Sequence, residues 1–85
     1  MADRSETAVV VRETIDRLWP GRYAESQLGE DVSLGEEGLG LDSIEIVELV
    51  LESGERLGLP GYDASELLDA GPVTLRRLID HLAAA

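Results

Sequence analysis

Apolar side chains recur at helical spacing near the start of the chain: Ala8, Val11, Ile15, Leu18 and Trp19 follow Asp3-x-x-Glu6 and stop at Pro20-Gly21. At 100° per residue these five span an arc of about 100°, with Arg12, Glu13, Asp16 and Arg17 outside it. A core-facing helix of about four turns is predicted, with Asp3 accepting from the backbone N–H groups that a first turn leaves unpaired. From Pro20 to Asp42 no period persists. Gly recurs at 21, 29, 35, 38 and 40 among Leu28, Val32, Leu34, Leu39 and Leu41, the pattern of a long loop held down by aliphatic anchors. Loops beyond about 12–15 residues are uncommon in compact domains unless they serve a function or are disordered, and the regular anchors favour order. This loop delivers the chain to Asp42-Ser43.

A second helix opens there. Asp42-x-x-Glu45 is a capping box, which leaves the Ser43 hydroxyl free to face solvent. With Ser43 at 0°, Ile46, Val47, Val50, Gly54 and Leu57 fall between about 300° and 40°, the expected buried face. Glu45, Glu48, Glu52 and Glu55 fall between about 120° and 200°, opposite it, and Ile44 and Leu51 lie between the two near about 80–100°. The outward side therefore sets two aliphatic residues beside four carboxylates, close to a serine. Gly58-Leu59-Pro60-Gly61 ends this helix, and Asp63 or Ser65 caps a short third one through Leu67, Leu68 and Ala70 before Gly71-Pro72. Thr74 caps the last, with Leu75, Leu78, Ile79 and Leu82 inward and Arg76, Arg77 and Asp80 outward. The expected fold is all-α: a small four-helix bundle, three main helices and one short one, with a long loop between the first two. Residues 1–85 read as a single domain, and Met1 with the Ala83-Ala84-Ala85 end reads as a complete small protein.

Composition narrows the chemistry. Eighteen Asp and Glu against seven Arg and no Lys give a net charge of −11. Phosphate neutralisation needs a basic patch, so nucleic acid is not an expected partner, and basic protein surfaces are. Cysteine is absent and His81 is the only histidine. Disulfides, thiolate ligands and a thiol nucleophile are excluded, and no acid–base constellation can be assembled around one imidazole, so no enzyme is expected. Hydrophobic residues at 44% support a core, filled by Leu, Ile and Val because Phe is absent. The longest apolar run, Ala8 to Val11, is too short for a membrane span or a signal peptide, and a cytoplasmic monomer is expected.

Leu39-Gly40-Leu41-Asp42-Ser43-Ile44 resembles the phosphopantetheine attachment motif of acyl carrier proteins. The similarity runs on through Glu45-Ile46-Val47-Glu48-Leu49-Val50 to Arg56-Leu57-Gly58 and returns at Val73-Thr74-Leu75. The resemblance implies that Ser43 takes 4′-phosphopantetheine from coenzyme A as a phosphodiester, installed by a separate phosphopantetheinyl transferase, with Asp42 part of the recognised motif. The arm would carry acyl groups as thioesters, which suits a chain with no thiol of its own. By the same resemblance Ile44, Glu45, Glu48, Leu51, Glu52 and Glu55 form the helix shown to basic patches on a ketosynthase, an acyltransferase or other acyl-processing enzymes. The Arg-only composition and the Gly-Leu-Gly-Leu-Asp-Ser-Ile wording look closer to polyketide than to fatty-acid biosynthesis. Two departures stand out: Ser53-Gly54, expected to bend the second helix or leave space beside it, and Gly35, where a bulky apolar anchor is usual.

Other readings stand beside this one. A peptidyl or aminoacyl carrier is the nearest, although Leu39-Gly40-Leu41 looks acyl-type. An unmodified acidic helical adaptor would share the charge and the helices and require nothing of Ser43. A calcium module fits less well, because the carboxylates from Asp31 to Glu37 do not match an EF-hand. An aspartate before a serine at a helix start is by default a plain cap, a glutamate stripe a solvated face, and Trp19 a packing residue.

Overall fold

Asp3, Asp42 and Thr74 each sit in extended backbone just before a helix. Each side chain accepts a hydrogen bond from the N–H three residues on: from Glu6 at 2.8 Å, Glu45 at 2.7 Å and Arg77 at 3.2 Å. These caps satisfy donors that have no partner inside a helix, and they start the three main helices. In this computed structural model, which describes residues 3–59, 65–69 and 73–84, the order is α1 (Arg4–Leu18), α2 (Ser43–Arg56), the short α3 (Ser65–Asp69) and α4 (Leu75–Ala83). The fold is all-helical, as the periodicity predicts, and the described residues contain no strand. Residues 60–64 and 70–72 lie outside the described residues, and with them the expected cap at Asp63, the Pro60-Gly61 and Gly71-Pro72 stops, and Ala70. The side chain of Leu68 lies outside them too.

One apolar cluster holds the bundle together. Ala8, Val11 and Ile15 of α1, Ile46, Leu49 and Val50 of α2, Leu67 of α3 and Leu75, Leu78, Ile79 and Leu82 of α4 are buried in it, each worth about 1.5–3 kcal/mol for a fully buried large aliphatic. The helix wheels need three corrections. Leu18 and Trp19 only half-bury, while Thr7 and Thr14 are fully buried on α1. Their hydroxyls donate to the Asp3 and Val10 carbonyls at 2.9 and 2.7 Å, so burying these polar atoms leaves nothing unpaired. On α2, Leu49 is wholly buried and Val47 and Leu57 only partly: the buried arc is rotated toward Leu49 and away from Val47, and Leu57 sits at the C-cap, past the last helical residue. In α4, Arg76 and Asp80 point outward as expected, but Arg77 is half-buried.

The long loop is ordered by its own hydrogen bonds. It contains a 3-10 turn at Glu25–Gln27, and of the five anchors the sequence suggests Leu28, Leu34, Leu39 and Leu41 are buried and Val32 only half-buried. Its backbone is sewn to the start of α4: Leu34 N–H donates to the Val73 carbonyl, Leu75 N–H to Val32 and Arg76 N–H to Glu30, at 2.8, 2.9 and 2.8 Å. Ser33 and Thr74 form an isolated antiparallel bridge. Loop carbonyls thus satisfy first-turn donors of α4 that no helical residue can reach. The loop then folds back on itself, with Leu39 N–H donating to the Ser33 carbonyl and Leu41 N–H to Leu34, each at 2.9 Å. Gly38 passes so close that an added Cβ would lie 2.0 Å from the Ser33 carbonyl oxygen, a contact only glycine permits. At Gly35 a Cβ would fit without strain, making only an ordinary 3.8 Å contact with Ser33 Oγ.

Charged groups strap the same region from outside. Arg4 pairs with Glu30 and Asp80, and Arg76 with Glu30 and Asp31, joining α1, the loop and α4. The hydrogen bond from Arg4, with the charge of Arg4 and Arg76 behind it, holds the Glu30 carboxyl below its ordinary range. No described helix is long and apolar enough to cross a membrane.

Candidate functional site

The loop ends by fixing Asp42-Ser43 at one point in space. Leu39 and Leu41 are buried on either side of Gly40, whose φ of +73° makes the reversal that a side chain would strain. The Tyr23 hydroxyl donates to the Leu39 carbonyl at 2.6 Å and ties the loop's end to its beginning. Asp42 and Glu45 then close the capping box in both directions: Glu45 N–H donates to Asp42 Oδ1 at 2.7 Å, and Asp42 N–H to Glu45 Oε1 at 3.1 Å. Because Asp42 takes the cap, Ser43 is not needed for it. Ser43 is exposed in the first turn of α2, and among the described residues its hydroxyl makes no hydrogen bond.

From Ser43 the outward side of α2 runs for about 20 Å at 1.5 Å per residue. Ile44 is 76% exposed and Leu51, two turns on, 40%. Among the described residues only Val9, on α1, is a further exposed large hydrophobic residue. Glu48 and Glu55 are exposed and Glu52 half-buried, and among the described residues none of the three carboxylates has an ion pair or a hydrogen bond. Glu45 differs from its three companions. It is half-buried, one oxygen caps Asp42, and the other accepts from Arg22 Nη1 at 3.2 Å. The sequence-expected set is therefore brought onto one helix face, with Glu45 already engaged and the rest uncommitted.

Sequence reasoning missed two supporting residues, Arg22 and Tyr23. The Arg22 guanidinium lies 5.9 and 5.3 Å from the ring centroids of Trp19 and Tyr23, within cation–π range of both. Only the closeness of Trp19, Arg22 and Tyr23 along the chain hinted at this, and that spacing has no fixed meaning in a loop. His81 is half-buried on α4. Among the described residues no three His, Asp or Glu side chains form a metal-holding cluster. An open surface depression of about 690 Å³ lies elsewhere, lined by Asp3, Glu6, Val9, Val10, Arg56 and Leu57 at the far end of α2. What the Ser43 end offers chemically is an accessible primary hydroxyl beside a negatively charged, partly apolar helix face. No family model matches the chain, and no curated protein or solved structure matches it significantly.

Proposed function

We propose that this protein is an acyl carrier whose Ser43 bears a 4′-phosphopantetheine arm. The observation that carries the reading is the division of labour at the start of α2: Asp42 and Glu45 satisfy the helix cap, and the Ser43 hydroxyl is left exposed and, among the described residues, unbonded. A hydroxyl in that position can be esterified without disturbing the fold. The residues fit the group in a second way, since the loop's buried leucines hold the attachment point while leaving the side chain in solvent. When attached, the arm supplies a terminal thiol for thioester chemistry, which a chain without cysteine lacks. Ser43 needs no neighbouring base, because a separate phosphopantetheinyl transferase would activate it.

The chain's own part is presentation. Ile44 and Leu51 offer a small apolar contact, and Glu48, Glu52 and Glu55, unpaired among the described residues, offer charge to basic patches on a ketosynthase, an acyltransferase or related enzymes. Such charge speeds encounter and fixes register without demanding high affinity, which suits a shuttle that must let go. Polyketide-type pathways are the favoured setting, on the wording of the motif. Incubation with coenzyme A, magnesium and a transferase tests the reading: the chain should gain one phosphopantetheine, and Ser43→Ala none. An unmodified acidic adaptor would use the same face and gain nothing.

A further inference from the structure

Arg22 is the cation tied to the capping box that precedes Ser43, and its present partner is poorly matched to it. The pair with Glu45 runs from one guanidinium nitrogen to one carboxylate oxygen at 3.2 Å, not as a two-pronged fork. Glu45 offers no better geometry while its other oxygen is held by the Asp42 N–H. The guanidinium lies within cation–π range of Trp19 and Tyr23 and one carboxylate's width from the backbone of the residue before Ser43. Four of the other arginines are committed elsewhere: Arg4 and Arg76 in the strap between loop and α4, Arg12 on the Leu28 carbonyl, and Arg56 on Thr14 and Glu13.

A phosphodiester on Ser43 would place a further negative charge beside Asp42 and Glu45, in a chain already at −11. That charge needs a counter-ion, and phosphate oxygens present the fork that a guanidinium matches best. We propose that Arg22 changes partners with the state of Ser43: it pairs with Glu45 in the unmodified chain, and with the phosphate once Ser43 carries a phosphodiester. Glu45 then keeps its capping bond to Asp42, and its second oxygen joins Glu48, Glu52 and Glu55 on the outward face. The face shown to partners thus gains a carboxylate only after the arm is attached. Arg22 acts here as a positioning residue, and the inference rests on the phosphopantetheine reading of Ser43.

The test is NMR of the arginine Nε–H groups in the full chain, recorded unmodified, phosphopantetheinylated, and with phosphoserine introduced at position 43 by chemical synthesis. The Arg22 resonance should shift in both modified forms while those of Arg4, Arg56 and Arg76 hold still, and Arg22→Gln should change the ³¹P shift of the attached phosphate. In the unmodified chain, Glu45→Gln should move Arg22 alone; in the modified chain, it should leave Arg22 in place. An Arg22 resonance indifferent to either phosphate, with the mass gain confirmed, overturns the partner exchange and leaves the carrier reading intact. If the transferase adds nothing, the carrier reading fails, and the phosphoserine arm still decides whether Arg22 answers a phosphate at this position.

Discussion

Ser53 is the one fully buried side chain of α2 that carries a polar atom, and among the described residues its Oγ has no hydrogen-bond partner. Its neighbours on the buried arc are Leu49, Val50 and Gly54, so neither a polar side chain nor solvent makes up the loss. Leaving a hydroxyl unpaired costs about 1–3 kcal/mol of desolvation, and serine is also a poorer helix former than alanine by up to ~0.7 kcal/mol. Ser53→Ala removes both penalties and deletes a single oxygen, so little cavity opens against them. A net stabilisation of about 1–2 kcal/mol is expected. For a domain of this size that is a rise in Tm of roughly 4–16 °C. Thermal melts and urea titrations followed by circular dichroism, with the m-value unchanged, measure it. A variant no more stable than wild type, or less stable, would show that the hydroxyl is satisfied in solution and refute the reasoning.

Gly38→Ala should cost about 2–3 kcal/mol or more, because the new Cβ would collide with the Ser33 carbonyl and break the Leu39 bond to it; urea unfolding measures the loss. Asp42→Ala should cost about 1 kcal/mol and Asp42→Asn much less, since asparagine still caps, and the melting temperatures should rank accordingly. The Glu30 carboxyl is held below its ordinary range in the fold, mainly by Arg4, so its contribution to stability is present at neutral pH and is lost as the pH falls through the lowered value. Arg4→Gln should therefore be less stable than wild type near pH 7, with the gap closing only as the pH falls through that lowered value, below which the carboxyl is protonated in both; denaturation followed from neutral pH down into acid reads the gap.

The parts of the fold visible in the sequence are those set by local chemistry. Asp3, Asp42 and Thr74 announce helix starts because a cap is decided within four residues, and the inward faces of α1 and α4 follow from aliphatic spacing. Leu28, Leu34, Leu39 and Leu41 stood out as anchors, with the half-buried Val32, because they are the aliphatic residues set among the loop's glycines. What escaped depends on partners far along the chain. Leu49 is buried because the core reaches further round α2 than its own aliphatic spacing indicates, and a wheel drawn from that spacing leaves it out. Thr7 and Thr14 look polar by type, yet a hydroxyl that bonds the preceding turn can be buried cheaply. The bonds joining the loop to α4 involve backbone atoms alone, which carry no sequence signal. Ser53-Gly54 was visible as a departure, but α2 runs through it as uninterrupted helix, and the consequence is an orphaned hydroxyl. At the candidate site, Ser43 and the acidic face were legible, while the tie from Arg22 to Glu45 spans 23 residues and was not.

The central claim is that Ser43 is an attachment point and not a structural residue. Intact-protein mass spectrometry tests it most directly, on folded, initially unmodified chain incubated with coenzyme A, magnesium and a panel of broad-specificity phosphopantetheinyl transferases. The account predicts a gain of one phosphopantetheine, mapped by peptide fragmentation to Ser43. Ser43→Ala should gain nothing while melting within about 0.5 kcal/mol of wild type, because Asp42 holds the cap. No mass gain with any transferase, or a Ser43→Ala variant that fails to fold, would contradict it.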